Sequence, residues 1–208
     1  MQIIGILGGS FDPIHYGHLR TARELAAALG LAQVRFIPSA HPPHRAPPVA
    51  AAADRLKMLQ LALHDEPGFV SDDRELKRAG PSYMILTLES LHAELAPAGL
   101  CLIVGMDAFL GLDRWHRWQE LWSHAHIVVL PRPGWSVEQG LPDWARPRLC
   151  HDPDELRQQP AGRLWIQPLT PQNVSSTRIR AALVRGEPVA EWLPPLVLRY
   201  IHDNHLYN

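Results

Sequence analysis

Residues 2–7 form an apolar run of strand length that stops at Gly8-Gly9. Leu19, Ala22, Leu25, Ala26 and Leu29 then recur at helical spacing, and Gly30 follows as a stop. Val34–Ile37 is a second strand-like run, closed by Pro38. Strand, helix and strand in succession constrain the chain strongly, because parallel strands need such a crossover and hairpins do not. The pattern continues. The spacing predicts a loop at 39–49, which holds four prolines, a helix at 51–65 and a short strand at 68–72. Tyr83–Leu95 reads as a helix, Leu100–Val104 as a continuous apolar strand, 107–124 as a tryptophan-rich helix and His126–Leu130 as a strand. Leu164–Leu169 is the last strand, a helix opens at Ser175 and ends at Gly186, and Leu196–Leu206 is the final helix. Strands alternating with helices predict an α/β fold with a doubly wound, mostly parallel sheet and a small C-terminal helical part at 175–208. Proline, glycine and charge dominate from 131 to 162, an excursion expected to hold short helices at most. No repeat or linker divides residues 1–208, so a single domain is expected.

Composition narrows the function. Lys plus Arg is 20 and Asp plus Glu is 21, so the chain is near neutrality and unsuited to binding nucleic acid over its whole surface. Cys101 and Cys150 are the only cysteines, too few for a disulfide scaffold or a thiolate zinc site, which fits the reducing cytoplasm. The first residues lack a basic stretch and read as a strand rather than a signal peptide. No apolar run reaches the roughly 18 residues of a membrane span.

Two segments carry chemistry. The first, GGSFDPIHYGHLR at 8–20, joins the first strand to the first helix, the usual crevice for nucleotides in an open α/β sheet. Gly8, Gly9 and Gly17 allow close backbone approach. His18 lies in the first helical turn, where free N–H groups favour an anion, and His15 can converge on the same point. The spacing is neither a dinucleotide fingerprint nor a P-loop. The segment resembles the G-G-[ST]-F-D-P-x-H-x-G-H signature of the nucleotidylyltransferase superfamily. That resemblance implies a Rossmann-like nucleotidylyltransferase fold, with Gly8, Gly9, Ser10, Phe11, His15 and His18 at ATP and the two histidines on its phosphates.

The second segment, QNVSSTRIRAALVRG at 172–186, holds Arg178, Arg180 and Arg185 and no acidic residue. Ser175 or Ser176 is a natural N-cap, and Ser176, Thr177 and Arg180 share a helix face suited to a phosphate chain. It resembles the superfamily's I-S-S-T-x-I-R signature, with Val174 in place of isoleucine, which implies Ser176, Thr177 and Arg180 on the triphosphate.

Between them, residues 25–53 lack acidic side chains and carry Arg35, His41, His44 and Arg45, a local basic patch. Pro42, Pro43, His44 and Arg45 resemble the P-P-H-[KR] loop of the bacterial nicotinate-nucleotide adenylyltransferases. Gly80, Pro81, Ser82 and Tyr83 resemble that family's G-P-S-Y-T, with Met84 for threonine. Gly105-Met106-Asp107 resembles its G-x-D, whose aspartate meets a ribose. Trp115, Trp118 and Trp122 can share one helix face; the last two suit core packing, and Trp115 matches the family tryptophan that stacks on nicotinate. The resemblance therefore implies transfer of adenylyl from ATP to nicotinate mononucleotide. It places His15, His18 and Arg180 as catalytic, Asp107 at ATP, and His44, Arg45, Ser82, Tyr83, Met84 and Trp115 at the acceptor. Mg²⁺ is expected to ride mainly on ATP phosphates, with no dedicated protein ligands. Other acceptors, nicotinamide mononucleotide or phosphopantetheine, stay open at this point. So do a non-catalytic nucleotide-binding module and a zinc hydrolase built on His15, His18, His41 and His44, as does the oligomeric state.

Overall fold

A computed structural model describes residues 1–42, 46–131 and 140–207. The strands are β1 (Ile3–Gly9), β2 (Gln33–Pro38), β3 (Phe69–Ser71), β4 (Gly99–Gly105), β5 (His126–Leu130) and β6 (Leu164–Ile166). They form one sheet of order β3-β2-β1-β4-β5-β6, and every pairing is parallel. The helices on it are α1 (Tyr16–Leu29), α2 (Ala52–Leu63), α3 (Arg74–Lys77), α4 (Met84–Leu95), α5 (Met106–Leu110), α6 (Leu121–His124), α7 (Ser176–Val184) and α8 (Pro195–Asp203).

Alternation along the central strands builds two cores. Ile3, Cys101, Ile103 and Val128 face one side, with Leu19, Leu25 and Leu29 of α1, Met58 and Leu59 of α2, Ile179 of α7 and Val197 of α8. Ile4, Ile6, Leu100, Leu102, Val104, Ile127 and Val129 face the other, with Ile85, Leu88 and Leu91 of α4. Both faces are covered, which is why these strands read as continuous apolar runs. The strand order reverses between β1 and β4. Ligands of such sheets sit at that reversal, beyond the carboxyl ends of the strands.

The elements follow the expected order, with three local differences. The tryptophan-rich stretch is not one helix. It is α5, a 3-10 turn at Leu112–Arg114, a second at Trp118–Glu120, and α6. Arg117 lies at φ 52, a left-handed conformation that a continuous helix forbids, and it pairs with Glu89 and Glu120. The helical spacing of the tryptophans reflects packing instead, since Trp118 and Trp122 both meet Trp144. The strand expected at Leu164–Leu169 ends at Ile166, two residues before Pro168. The short helix α3 has too few residues to show a period, and the sequence reading passed over it. Gly30 does end α1: it adopts φ 54 and its N–H bonds the Ala26 carbonyl, the left-handed cap that glycine takes at little cost. No helix among the described residues is long and apolar enough to cross a membrane.

Candidate active site

The loop from Ser10 to His15 is unusually buried for a connection. Phe11, Asp12, Ile14 and His15 are each at most 5% exposed. Phe11 sits at φ 47, held between Phe36 (ring centroids 5.8 Å apart) and the edge of His18 (5.2 Å). A phenylalanine stays in that conformation only when its packing over-determines it. The packing fixes the start of α1, where His15 is the N-cap residue and the His18 N–H donates to the His15 carbonyl (3.0 Å).

The imidazoles of His15 and His18 stack with centroids 3.8 Å apart and planes inclined by 24°. Nδ1 of each is buried without a hydrogen-bond partner. Burial pushes the His15 imidazole down to about 4, and burial, then the adjacent His15, pushes His18 well below its usual value. Both rings are therefore neutral near pH 7, and each offers one N–H and one lone pair. Stacked rings carry their in-plane lone pairs side by side rather than aimed at one point, which does not suit a shared zinc ion. Among the described residues, no three His, Cys, Asp or Glu side chains are grouped to hold a metal.

A group that is neutral when folded and protonated when unfolded makes stability depend on pH. The His15 contribution is full above about 6.5 and falls as pH drops from there toward about 4, and His18 acts in the same direction. Thermal melts from pH 7.5 to 5 are expected to fall less steeply for His15→Gln than for the parent chain. Parallel slopes would contradict the buried, neutral state of His15.

The second segment packs onto the first. Ser175 caps α7, accepting from the Arg178 N–H. Ser176 Oγ donates to the Pro13 carbonyl (3.0 Å) and Arg180 Nη1 to the Asp12 carbonyl (2.7 Å). A β-carbon on Gly17 would lie 2.8 Å from Val174 Cγ1 and 2.9 Å from His15 Nδ1. The absence of a side chain at Gly17 thus lets the two segments meet. Thr177 is exposed on the first turn of α7. The arginines of this segment divide: Arg180 turns to the loop, Arg178 stacks over Trp192 at 4.5 Å, and Arg185 pairs with Glu187. Arg35 likewise leaves the basic patch, paired with Asp72 and Glu94. Among the described arginines of these two stretches, Arg180 is the one that turns to the loop.

Beside the loop, a cleft of about 630 Å³ opens between the ends of β1 and β4. Such a volume suits a nucleotide-sized ligand. Gly8, Gly9 and Ser10 form one wall, and Gly105 and Asp107 another. A β-carbon on Gly8 would come 2.9 Å from Met84 Cε, so the methionine lies across the strand end. Ser82, Tyr83, Met84 and Trp115 also line the cleft. Helix α4 starts at Met84 with Tyr83 as its N-cap residue, so Ser82 is not the cap. Ser82 Oγ instead accepts from the Ala40 and His41 N–H groups (3.0 and 3.2 Å). Trp115 is half-buried against the second core, while His15, His18, Ser176, Thr177 and Arg180 stand outside the cleft's walls. The predicted residues thus form two neighbouring groups that share the Gly8–Ser10 strand end. His44 and Arg45 lie outside the described residues.

Several residues escaped the sequence reading. His116 stacks on Tyr83 (4.2 Å) and lines the cleft, as does the buried Glu75, whose carboxylate accepts from Thr87 Oγ1 (2.7 Å). Burial raises the Glu75 carboxyl above its ordinary value. Arg55 is 1% exposed, and its guanidinium donates to the carbonyls of Ser10 (2.7 Å) and Ala50 (3.2 Å). A charged residue beside Met58 and Leu59 on an apolar helix face was the signal available for it. Asp12 lay inside a quoted segment, but its partners come from distant parts of the chain.

The cytidylyltransferase-like family model matches residues 6–182. A Methylococcus capsulatus protein named "Probable nicotinate-nucleotide adenylyltransferase" is 49% identical over 208 residues, covering 99% of each chain. An Aeromonas hydrophila protein of the same name is 47% identical, covering 98% of this chain and 96% of its own. Among solved structures, the Plasmodium falciparum nicotinic acid mononucleotide adenylyltransferase complexed with NaAD is 17% identical. It superposes with a TM-score of 0.71 over 100% of this chain and 98% of its own, a likeness of fold.

Proposed function

The chain belongs to the cytidylyltransferase-like family and, within it, to the nicotinate-nucleotide adenylyltransferases, and on that premise we propose how its residues carry out the transfer. The enzyme moves the adenylyl group of ATP to nicotinate mononucleotide, giving nicotinate adenine dinucleotide and pyrophosphate, a step of NAD biosynthesis. A phosphate oxygen of the acceptor attacks the α-phosphorus, and the bond from that phosphorus to the bridging oxygen of pyrophosphate breaks. The nucleophile is already ionised, so no strong general base is required. Catalysis then rests on positioning and on offsetting charge at the α-phosphate and the leaving group.

One observation carries the assignment of roles: Ser176 and Arg180 bond the carbonyls of Pro13 and Asp12, which brings the second segment beside the stacked histidines at the end of β1. His15 and His18 donate their neutral N–H groups to the triphosphate, and Arg180, with Thr177, meets the β- and γ-phosphates. Phe11 holds His18 in place. In the cleft, Gly8, Gly9, Ser10 and Asp107 contact ATP. Met84 offers its backbone N–H to the pyridine carboxylate beside Tyr83, whose own N–H bonds the Pro81 carbonyl, and Trp115 stacks on the ring, an interaction worth roughly 1–3 kcal/mol. Ser82 acts through the backbone it holds, and His44 and Arg45 meet the acceptor phosphate. A divalent cation, Mg²⁺ in this reading, would be held mainly through the ATP phosphates and would supply positive charge to offset theirs. The free, buried cysteines suit a reducing cytoplasm.

The decisive assay is pyrophosphate release from ATP with nicotinate mononucleotide against nicotinamide mononucleotide. Faster release with the acid is expected. Equal rates would refute acid selectivity, and release with neither would refute the transfer.

A further inference from the structure

Asp12 lies beneath the phosphate loop, 3% exposed. Its Oδ2 accepts from the Val49 N–H (2.7 Å), and its Oδ1 from the Ala50 N–H (3.0 Å) and the Tyr207 hydroxyl (2.8 Å). Arg180 Nη1, bonded to the Asp12 carbonyl, stands 3.6 Å from Oδ2. Tyr207 comes from the segment after α8. It is 7% exposed, its φ is 64, and its ring belongs to the first core. Its hydroxyl plays no part in the transfer described above.

A buried carboxylate that loses a donor draws more strongly on the charged donor nearest it. The Arg180 guanidinium is that donor, an ion pair at 3.6 Å from Oδ2 and just beyond hydrogen-bond distance. Three neutral donors share the carboxylate: the Val49 N–H on Oδ2, and the Ala50 N–H and the Tyr207 hydroxyl on Oδ1. We propose that Tyr207 is a positioning residue for adenylyl transfer: by bonding Asp12, its hydroxyl keeps that carboxylate from capturing Arg180, which stays turned to the triphosphate. The proposal rests on the reading of Arg180 as a triphosphate ligand.

The test is a cycle of Tyr207→Phe, Arg180→Ala and the double variant, assayed with both substrates varied. Tyr207→Phe is expected to lower kcat/KM for ATP about tenfold, the scale of one hydrogen bond to a charged group, and to leave KM for the acceptor unchanged. In the Arg180→Ala background the same change is expected to have almost no effect on ATP. Unchanged ATP parameters in Tyr207→Phe, or full additivity with Arg180→Ala, would overturn the proposal, because capture of Arg180 requires Arg180. Should Tyr207→Phe fail to fold, Asp12→Asn/Tyr207→Phe, which has no carboxylate to capture Arg180, is compared with Asp12→Asn, and a tenfold loss of kcat/KM for ATP on adding Tyr207→Phe there would overturn the proposal. Should the parent chain transfer nothing to the acceptor, the functional reading fails separately. Calorimetric binding of α,β-methylene-ATP to the same variants then decides the role of Tyr207 alone.

Discussion

His18→Ala is expected to lower kcat about 100-fold or more, the scale of losing one preorganised donor at a developing charge. The ring is already fixed before substrate arrives: it stacks on His15, meets Phe11 edge-on, and has no protein partner for its buried Nδ1. Little reorganisation is left for the moment of reaction. The measurement is pyrophosphate release at saturating ATP and acceptor, with a thermal melt confirming that the variant is folded at the assay temperature. Near-normal turnover would remove His18 from the reaction. A rise in KM for ATP at unchanged kcat would make it a ground-state ligand only.

Arg55→Met is expected to have the largest effect on stability, about 3 kcal/mol, from two charge-assisted hydrogen bonds lost together. Methionine keeps most of the apolar stem. It leaves the Ser10 and Ala50 carbonyls without the guanidinium that joins them. For a chain of this size the change corresponds to a melting temperature lower by roughly 10 °C. Urea denaturation gives the free energy directly, and a loss below about 1 kcal/mol would show that the two carbonyls find other donors.

Both predictions concern the same loop, yet only one was legible in the sequence. His18 stood in a spaced segment at the end of a recognisable strand, and local spacing was enough to find it. Arg55 lies on another helix, and its importance comes from carbonyls contributed by the Ser10 and Ala50 loops. The arginines near the second segment teach the same point. Arg178, Arg180 and Arg185 are similar in composition and close in number, yet one stacks on Trp192, one reaches the loop and one pairs with Glu187. The tryptophan spacing at 118 and 122 matched a helix because the second short turn and α6 both pack onto Trp144, not because one helix runs through.

The sequence by itself determined the parallel, doubly wound sheet, the glycine stop after α1 and the two segments suited to phosphate. Each of these depends on backbone periodicity or on residues close together in the chain. Only the tertiary structure decided that the two histidines are neutral, that Gly17 leaves room for Val174, and that Asp12 gathers donors from Val49, Ala50 and Tyr207. Burial and charge pairing depend on distances through space, between residues that local spacing does not relate. The sequence placed three arginines in the second segment, and the fold turned Arg180 among them to the Ser10–His15 loop.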